Sequence, residues 1–439
     1  MKRKIYNQLL EWKNYKNKKP LIVIGVRQCG KTYVIEEFCK KEFKKHYTLN
    51  LFQRNDVVKM YKQNISSLEK YNQLKSMINF DFDENDSILF IDEIQESEEL
   101  ISDLKYFCEE HNNVNIICAG SLLGVKLKRF SKSFPVGKVW MFNMYPMDFE
   151  EYLIAFGEKM LLDYIKDCFN NNKSMGALHD KAMRYYKNYL ITGGMPESVM
   201  NMIEINGSYV NYNKKIISNI IESYFDDMKK YIESPSETVK IRALYNSLPN
   251  QLSNKSHKFQ YSKIIKNGKS RDYDLPLDWL LSSNMVSKVN SISIPQKPLK
   301  GFENQDTFKL FLSDVGILNN LLNVSINDIL MDELEIYKGV IAENYVANQL
   351  ISNEIPIFYW RSDAEAEVDF LIETTSDGII PIEVKASDNT QSKSLKVYDG
   401  LYHPKYKIRI STKDFGYEPK ASIKSIPLYA AFLIRELTK

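Results

Sequence analysis

Gly25-Val26-Arg27-Gln28-Cys29-Gly30-Lys31-Thr32 fills every fixed position of the pattern G-x-x-x-x-G-K-S/T. Those residue types suit the binding of phosphates. Glycines let backbone N–H groups approach phosphate oxygens closely. The lysine reaches the β- and γ-phosphates of a nucleotide, and the threonine hydroxyl holds magnesium. The pattern follows an apolar run, Leu21 to Gly25, and opens a predicted helix from Thr32 to Lys41. A helix N-terminus placed there adds the positive end of its dipole.

A second chemical group follows. Ser87-Ile88-Leu89-Phe90-Ile91 is an apolar strand that ends in two acids, Asp92 and Glu93. An acid at the carboxyl end of such a strand holds magnesium through water, and its neighbour polarises an attacking water. The strand Val114 to Ala119 leads to Gly120-Ser121, which places Ser121 to sense the γ-phosphate. The catalytic set read from the sequence is therefore Lys31, Asp92, Glu93 and Ser121, with ATP and Mg2+ as cofactors.

A third group lies near the C-terminus. Asp369 stands on the predicted strand Glu367 to Ile372, and Glu383 and Lys385 stand two apart on Ile379 to Val384 and just past it. Residues two apart on a strand face one side. Glu343 sits on the preceding predicted helix, Tyr337 to Ile351. Carboxylates gathered in this way hold magnesium, and a lysine beside them positions a nucleophile. The same acids also suit the exposed face of half-buried strands, where alternation is expected.

These sites need elements to hold them. Leu21 to Gly25, Tyr47 to Phe52, Ile88 to Ile91, Val114 to Ala119 and Val139 to Phe142 read as strands between helical stretches. Continuous apolar strands separated by helices predict an α/β fold with a parallel sheet covered on both faces. The chain has 439 residues, enough for two to four domains at about 100–200 residues each. The pattern divides into an ATPase core (1–150), a helical lid region (151–245), a winged-helix-like region (246–330) and a C-terminal α/β domain (331–439). Lys255, Lys258, Lys263, Lys266, Lys269 and Arg271 surround a predicted helix-turn-helix in the third part. Such a stretch makes phosphate contacts to DNA or is a solvated helical face.

The net charge is only +3, so any nucleic-acid contact must come from a local face rather than a global field. The five cysteines, Cys29, Cys39, Cys108, Cys118 and Cys168, form no zinc-type pairs. Their odd, scattered set suits a reducing compartment. Met1 to Pro20 lacks the apolar stretch of a signal peptide. No run reaches the roughly 20 apolar residues needed to span a bilayer. These features predict a cytoplasmic protein that is not integral to a membrane.

The phosphate loop, Phe90-Ile91-Asp92-Glu93-Ile94-Gln95 and Ala119-Gly120-Ser121 together resemble the AAA-type ATPases of bacteria and archaea that carry a DUF4143 region. Tyr145-Pro146-Met147 with Phe149, Gly193-Gly194-Met195-Pro196-Glu197 and Tyr224-Phe225-Asp226-Asp227-Met228 extend the resemblance over nearly the whole chain. It implies a P-loop NTPase sheet and a C-terminal domain similar to restriction endonucleases of the PD-(D/E)xK type. There Glu343, Asp369 and Glu383 would be metal ligands beside Lys385. Family members often carry arginine after the glycine corresponding to Gly137, and this chain has Lys138. An arginine finger serving a neighbouring subunit of a homo-oligomer is therefore in question, with Arg129 as a substitute. Three readings follow. The first is an ATPase that couples turnover to conformational change on DNA. The second is an ATP-dependent switch for a protein partner with an inactive nuclease-like domain. The third is an ATP-gated, metal-dependent DNA nuclease.

Overall fold

Leu21, Ile22 and Val23 are fully buried, as are all six residues of Ser87–Asp92 to within a few per cent. Apolar side chains on both faces of a strand require cover on both faces, and the computed structural model provides it. It describes all residues except 84–85, 112, 129–132, 233, 254–257, 267, 363–365, 387–392 and 439, with only the backbone of 126–128. The chain forms two units. The first is residues 2–145 with 282–284. The second is residues 146–281 and 285–439, with Met1.

The first unit is built on five parallel strands: β1 (Leu21–Ile24), β2 (Lys45–Asn50), β3 (Ser87–Asp92), β4 (Ile116–Gly120) and β5 (Trp140–Asn143). Their order across the sheet is β2-β3-β4-β1-β5. The carboxyl ends of β1 and β3 are separated only by β4, with Ile24 beside Gly120 and Ile91 beside Cys118. Helix Lys31–Glu42 covers the sheet through Val34, Ile35 and Phe38, the spacing of an amphipathic helix. Helix Glu98–Glu110 starts at Ser97, whose hydroxyl accepts from Leu100 N–H at 3.2 Å. It buries Leu100, Ile101, Leu104 and Phe107.

The second unit opens with helices. The first, Phe149–Ala155, carries a capping box in which Asp148 accepts from Glu151 N–H at 2.9 Å. Leu178–Thr192 ends at Gly193-Gly194. Gly193 has φ +64°, and a Cβ there would sit 2.0 Å from Asp314 Oδ1. Gly194 donates to Asp314 Oδ2 at 2.6 Å, and its carbonyl accepts from Met147 N–H at 2.7 Å. Burial pushes the Asp314 carboxyl up to about 6, against the pull of the Gly194, Ile317 and Gly316 N–H donors. The two glycines thus serve as a close-packed backbone joint. Tyr224, Phe225 and Met228 are buried on helix Lys215–Tyr231.

An eight-stranded mixed sheet follows. Its strands are β6 (Val286–Ile292), β7 (Glu303–Leu312), β8 (Phe358–Arg361), β9 (Glu367–Thr374), β10 (Gly378–Lys385), β11 (Lys407–Ser411), β12 (Gly416–Glu418) and β13 (Ile423–Pro427). The order is β12-β13-β11-β10-β9-β8-β6-β7. The hairpin β6–β7 is part of this sheet because β6 runs parallel to β8. Between 258 and 272 the described residues form two 3-10 turns, Tyr261–Lys263 and Ser270–Asp272, in the connection between helices Pro235–Leu252 and Asp274–Ser282. Gly268 packs with its Cα against the Tyr261 carbonyl, where a Cβ would lie 2.6 Å from the oxygen. That close approach suits a turn. Lys263, Lys266, Lys269 and Arg271 are exposed, while Lys255 lies outside the described residues. Among the described residues no helix is long and apolar enough to cross a membrane.

Candidate nucleotide site and a second charged centre

The loop between β1 and helix Lys31–Glu42 holds its shape by backbone contacts. Gly25 abuts Met144, and a Cβ would lie 2.1 Å from that carbonyl oxygen. Gly30 has φ +96°, in the left-handed region, and directs the chain into the helix. Gln28 also has a positive φ, 64°. Cys29 and Val26 are buried, whereas Arg27 and Gln28 are exposed. Lys31 is buried, and its ammonium donates to the carbonyls of Gly25 at 2.8 Å and Val26 at 3.0 Å.

Arg3, far from the motif in sequence, grips the same loop. Its guanidinium donates to Cys29 O at 2.8 Å and to Tyr145 O at 2.7 Å. Arg3→Ala should weaken ATP binding by roughly 10-fold, since hydrogen bonds from charged groups contribute about 1.5–3 kcal/mol. Unchanged affinity by calorimetry would mean the loop keeps its shape without this clamp.

Thr32, at the helix start, donates its hydroxyl to Asp92 Oδ2 at 3.0 Å. Asp92 ends β3 and is 7% exposed. Burial, then the nearby Glu93 charge, push its carboxyl up, while the Thr32 and Glu93 N–H bonds oppose this. Glu93 sits in the left-handed region, φ +54°, which turns its side chain away from the strand direction. The Gln95 amide donates to Glu93 Oε2. Gly120 makes room for Gln95, because a Cβ there would lie 2.5 Å from Gln95 Oε1. Ser121 follows β4, buried, between the ends of β1 and β3. The structure therefore brings Lys31, Thr32, Asp92, Glu93 and Ser121 to one edge of one sheet. A hydroxyl and a carboxylate 3.0 Å apart form an oxygen donor set that fits magnesium.

The arrangement has a counterpart among known proteins. Residues 17–153 match the AAA domain family. Residues 338–431 match a domain of unknown function, DUF4143, and residues 183–328 match another, DUF8612. MJ1544, an uncharacterised protein of Methanocaldococcus jannaschii, is 25% identical over 413 residues, covering 91% of this chain and 82% of that protein. The Walker-type ATPase of Pyrococcus abyssi is 16% identical, with TM-score 0.45, over 73% of this chain and 95% of that one. The ORC2 protein of Aeropyrum pernix, solved in ADPNP–ADP complexes, is 13% identical, with TM-score 0.34, over 75% and 92%. The segment that matches the AAA domain family carries the phosphate loop, Asp92 and Glu93 described above.

Lys138, the residue after Gly137, pairs with Glu109 at 2.8 Å, and Glu109 holds its ammonium above the ordinary range. Arg129 lies outside the described residues.

Two acids of the C-terminal set, Glu343 and Asp369, line a cavity of about 320 Å³ together with Lys385, and Glu383 is not part of its lining. Helix Tyr337–Ser352 presents Glu343, which is 4% exposed. Asn344, beside it, is bonded both ways to the Leu312 backbone, at 2.9 and 3.1 Å, which fixes the helix against the end of β7. Asp369 accepts from Val384 N–H at 2.7 Å. Burial pushes its carboxyl well up, with Glu383 and Glu343 adding to the effect. Lys385 pairs with Glu383 at 2.6 Å. The sequence reading missed Lys309 on β7. It is fully buried and lies 2.8 Å from Glu343 and 2.6 Å from Glu367. A buried lysine requires paired anions, but in sequence it reads as one member of an alternating strand.

Proposed function

We propose that this chain is a magnesium-dependent ATP hydrolase that couples turnover to conformational change acting on DNA. The observation that supports it most is the contact of Thr32 with Asp92 at the mouth of the phosphate loop, 3.0 Å from hydroxyl to carboxylate. Backbone N–H groups from Gly25 to Thr32 would cradle the nucleotide phosphates, and the Lys31 ammonium would turn from the loop carbonyls to the β- and γ-phosphates. Thr32 and Asp92 would hold magnesium, which when bound neutralises charge on the phosphate oxygens. Glu93 orients and polarises the attacking water, with its carboxylate steadied by the Gln95 amide. Ser121 senses the γ-phosphate from between the two strands.

The DNA part of the reading rests on the exposed Lys263, Lys266, Lys269 and Arg271. These would contact phosphates without sequence preference. Five free cysteines support a reducing, cytoplasmic setting. Because Lys138 is tied to Glu109, the reading assigns no arginine finger to that position in a homo-oligomer.

ATP hydrolysis is to be measured with magnesium, alone and with single-stranded, duplex or branched DNA. Stimulation by one form is expected. Hydrolysis indifferent to all forms would overturn the DNA assignment and favour a protein-partner switch.

A further inference from the structure

The segment that matches DUF4143 brings acids together, and their fit to a divalent metal follows from what each one meets. Glu343 is bound by the Lys309 ammonium at 2.8 Å. Glu383 is bound by Lys385 at 2.6 Å. Asp369 is directed at the Val384 N–H, 2.7 Å away, at the end of the β9–β10 ladder. Among the described residues, no group of three or more His, Cys, Asp or Glu side chains is arranged to hold a metal ion. The carboxylates therefore do not fit a divalent cation, because one oxygen each of Glu343 and Glu383 is taken by an ammonium and Asp369 Oδ2 by a backbone N–H of the same chain.

Lys309 is the central residue of this arrangement. It comes from β7, outside the matched DUF4143 segment. It is 0% exposed. Besides Glu343 and Glu367, the face of Tyr359 lies 5.0 Å from its ammonium. A lysine cannot be buried this deeply unless it is compensated, and neither can Glu343. The joint between Asn344 and Leu312 fixes the helix to β7, so the two charges are built into one rigid unit.

We infer that Lys309 is the resident cation of this acidic centre, taking by a fixed ammonium the charge-balancing role that a divalent metal takes in a nuclease. The centre is then a buried charge network that holds β7, β9 and helix Tyr337–Ser352 together. It does not hydrolyse phosphodiesters by metal chemistry. This inference is independent of the ATPase reading, because none of its residues lies in the AAA domain.

The test is Mn2+ alone, without nucleotide, titrated into the full chain while free ion is followed by electron paramagnetic resonance. Asp369→Asn serves as the site control. The parent chain is expected to show no bound Mn2+ that Asp369→Asn removes. A bound ion lost in that variant would overturn the inference. Lys309→Met removes the charge at similar volume. It should lower the melting temperature and gain Mn2+ binding that Asp369→Asn, in the double variant, abolishes. A Lys309→Met protein as stable as the parent, with no gained binding, would also overturn the inference. If Lys309→Met does not fold, the triple variant Lys309→Met, Glu343→Gln, Glu367→Gln should fold, since the two carboxylates paired with Lys309 lose their charge together with it. Its failure would show that Lys309 does not act as a counter-charge.

Discussion

Glu93→Gln should bind ATP about as well as the parent chain and hydrolyse it roughly 10²–10⁴-fold more slowly, the range associated with losing a positioned general base. The amide keeps the shape of the side chain but cannot accept a proton. The phosphate contacts are untouched, because Lys31 and the loop backbone lie on β1's side of β4 and Glu93 on β3's. Magnesium ligation should also survive. Thr32 and Asp92 keep their 3.0 Å contact, and removing the Glu93 charge removes one of the influences that push the Asp92 carboxyl up. Single-turnover hydrolysis and calorimetric ATP binding, measured on the same preparation, separate the two effects. Normal turnover would assign the water to another group, with Ser121 a candidate at the same sheet edge. Loss of binding along with turnover would mean that the Glu93–Gln95 bond shapes the site and does not act on water.

Much of this site was legible from the sequence because its residues are close in sequence to the apolar strands that carry them. Leu21 to Gly25 and Ser87 to Asp92 are short, continuous and apolar, so strand, turn and site residue are read together. β2 was read too late, as Tyr47 to Phe52 and not Lys45–Asn50. It is the edge strand, and its exposed Lys45 and His46 give no apolar signal. The Arg3 clamp was not legible, because its partner on the loop is 26 residues away and its other partner 142. Lys309 was missed for the same reason, since Glu343 lies 34 residues on. Pairing of β6 with β8 was also hidden. The contact joins strands separated by β7 and three helices, and composition does not change where they meet. The basic stretch is a different case. Its described residues lie in the connection between helices Pro235–Leu252 and Asp274–Ser282, where the turn at Gly268 is set by a backbone approach that charge does not encode.

Lys31→Ala should weaken ATP binding by roughly 100-fold or more, about 3 kcal/mol, as expected when an ammonium leaves a phosphate. The residue does two things that this experiment can separate. Its ammonium holds the loop through Gly25 at 2.8 Å and Val26 at 3.0 Å, and it would also meet the nucleotide. If shaping the loop were its main role, Lys31→Ala and Arg3→Ala would act on the same backbone and their effects would not add. If contact with phosphate dominates, the double variant should lose the sum of the two free energies within a few tenths of a kcal/mol. The phosphate reading also predicts a difference between ligands. Lys31→Ala should lose far more affinity for ATP than for adenosine, which has no phosphate for the ammonium to meet. Loss that is equal for both ligands would mean that the lysine organises the pocket, and the phosphate role would pass to the backbone donors of Gly30 and Thr32 and to the N-terminus of helix Lys31–Glu42.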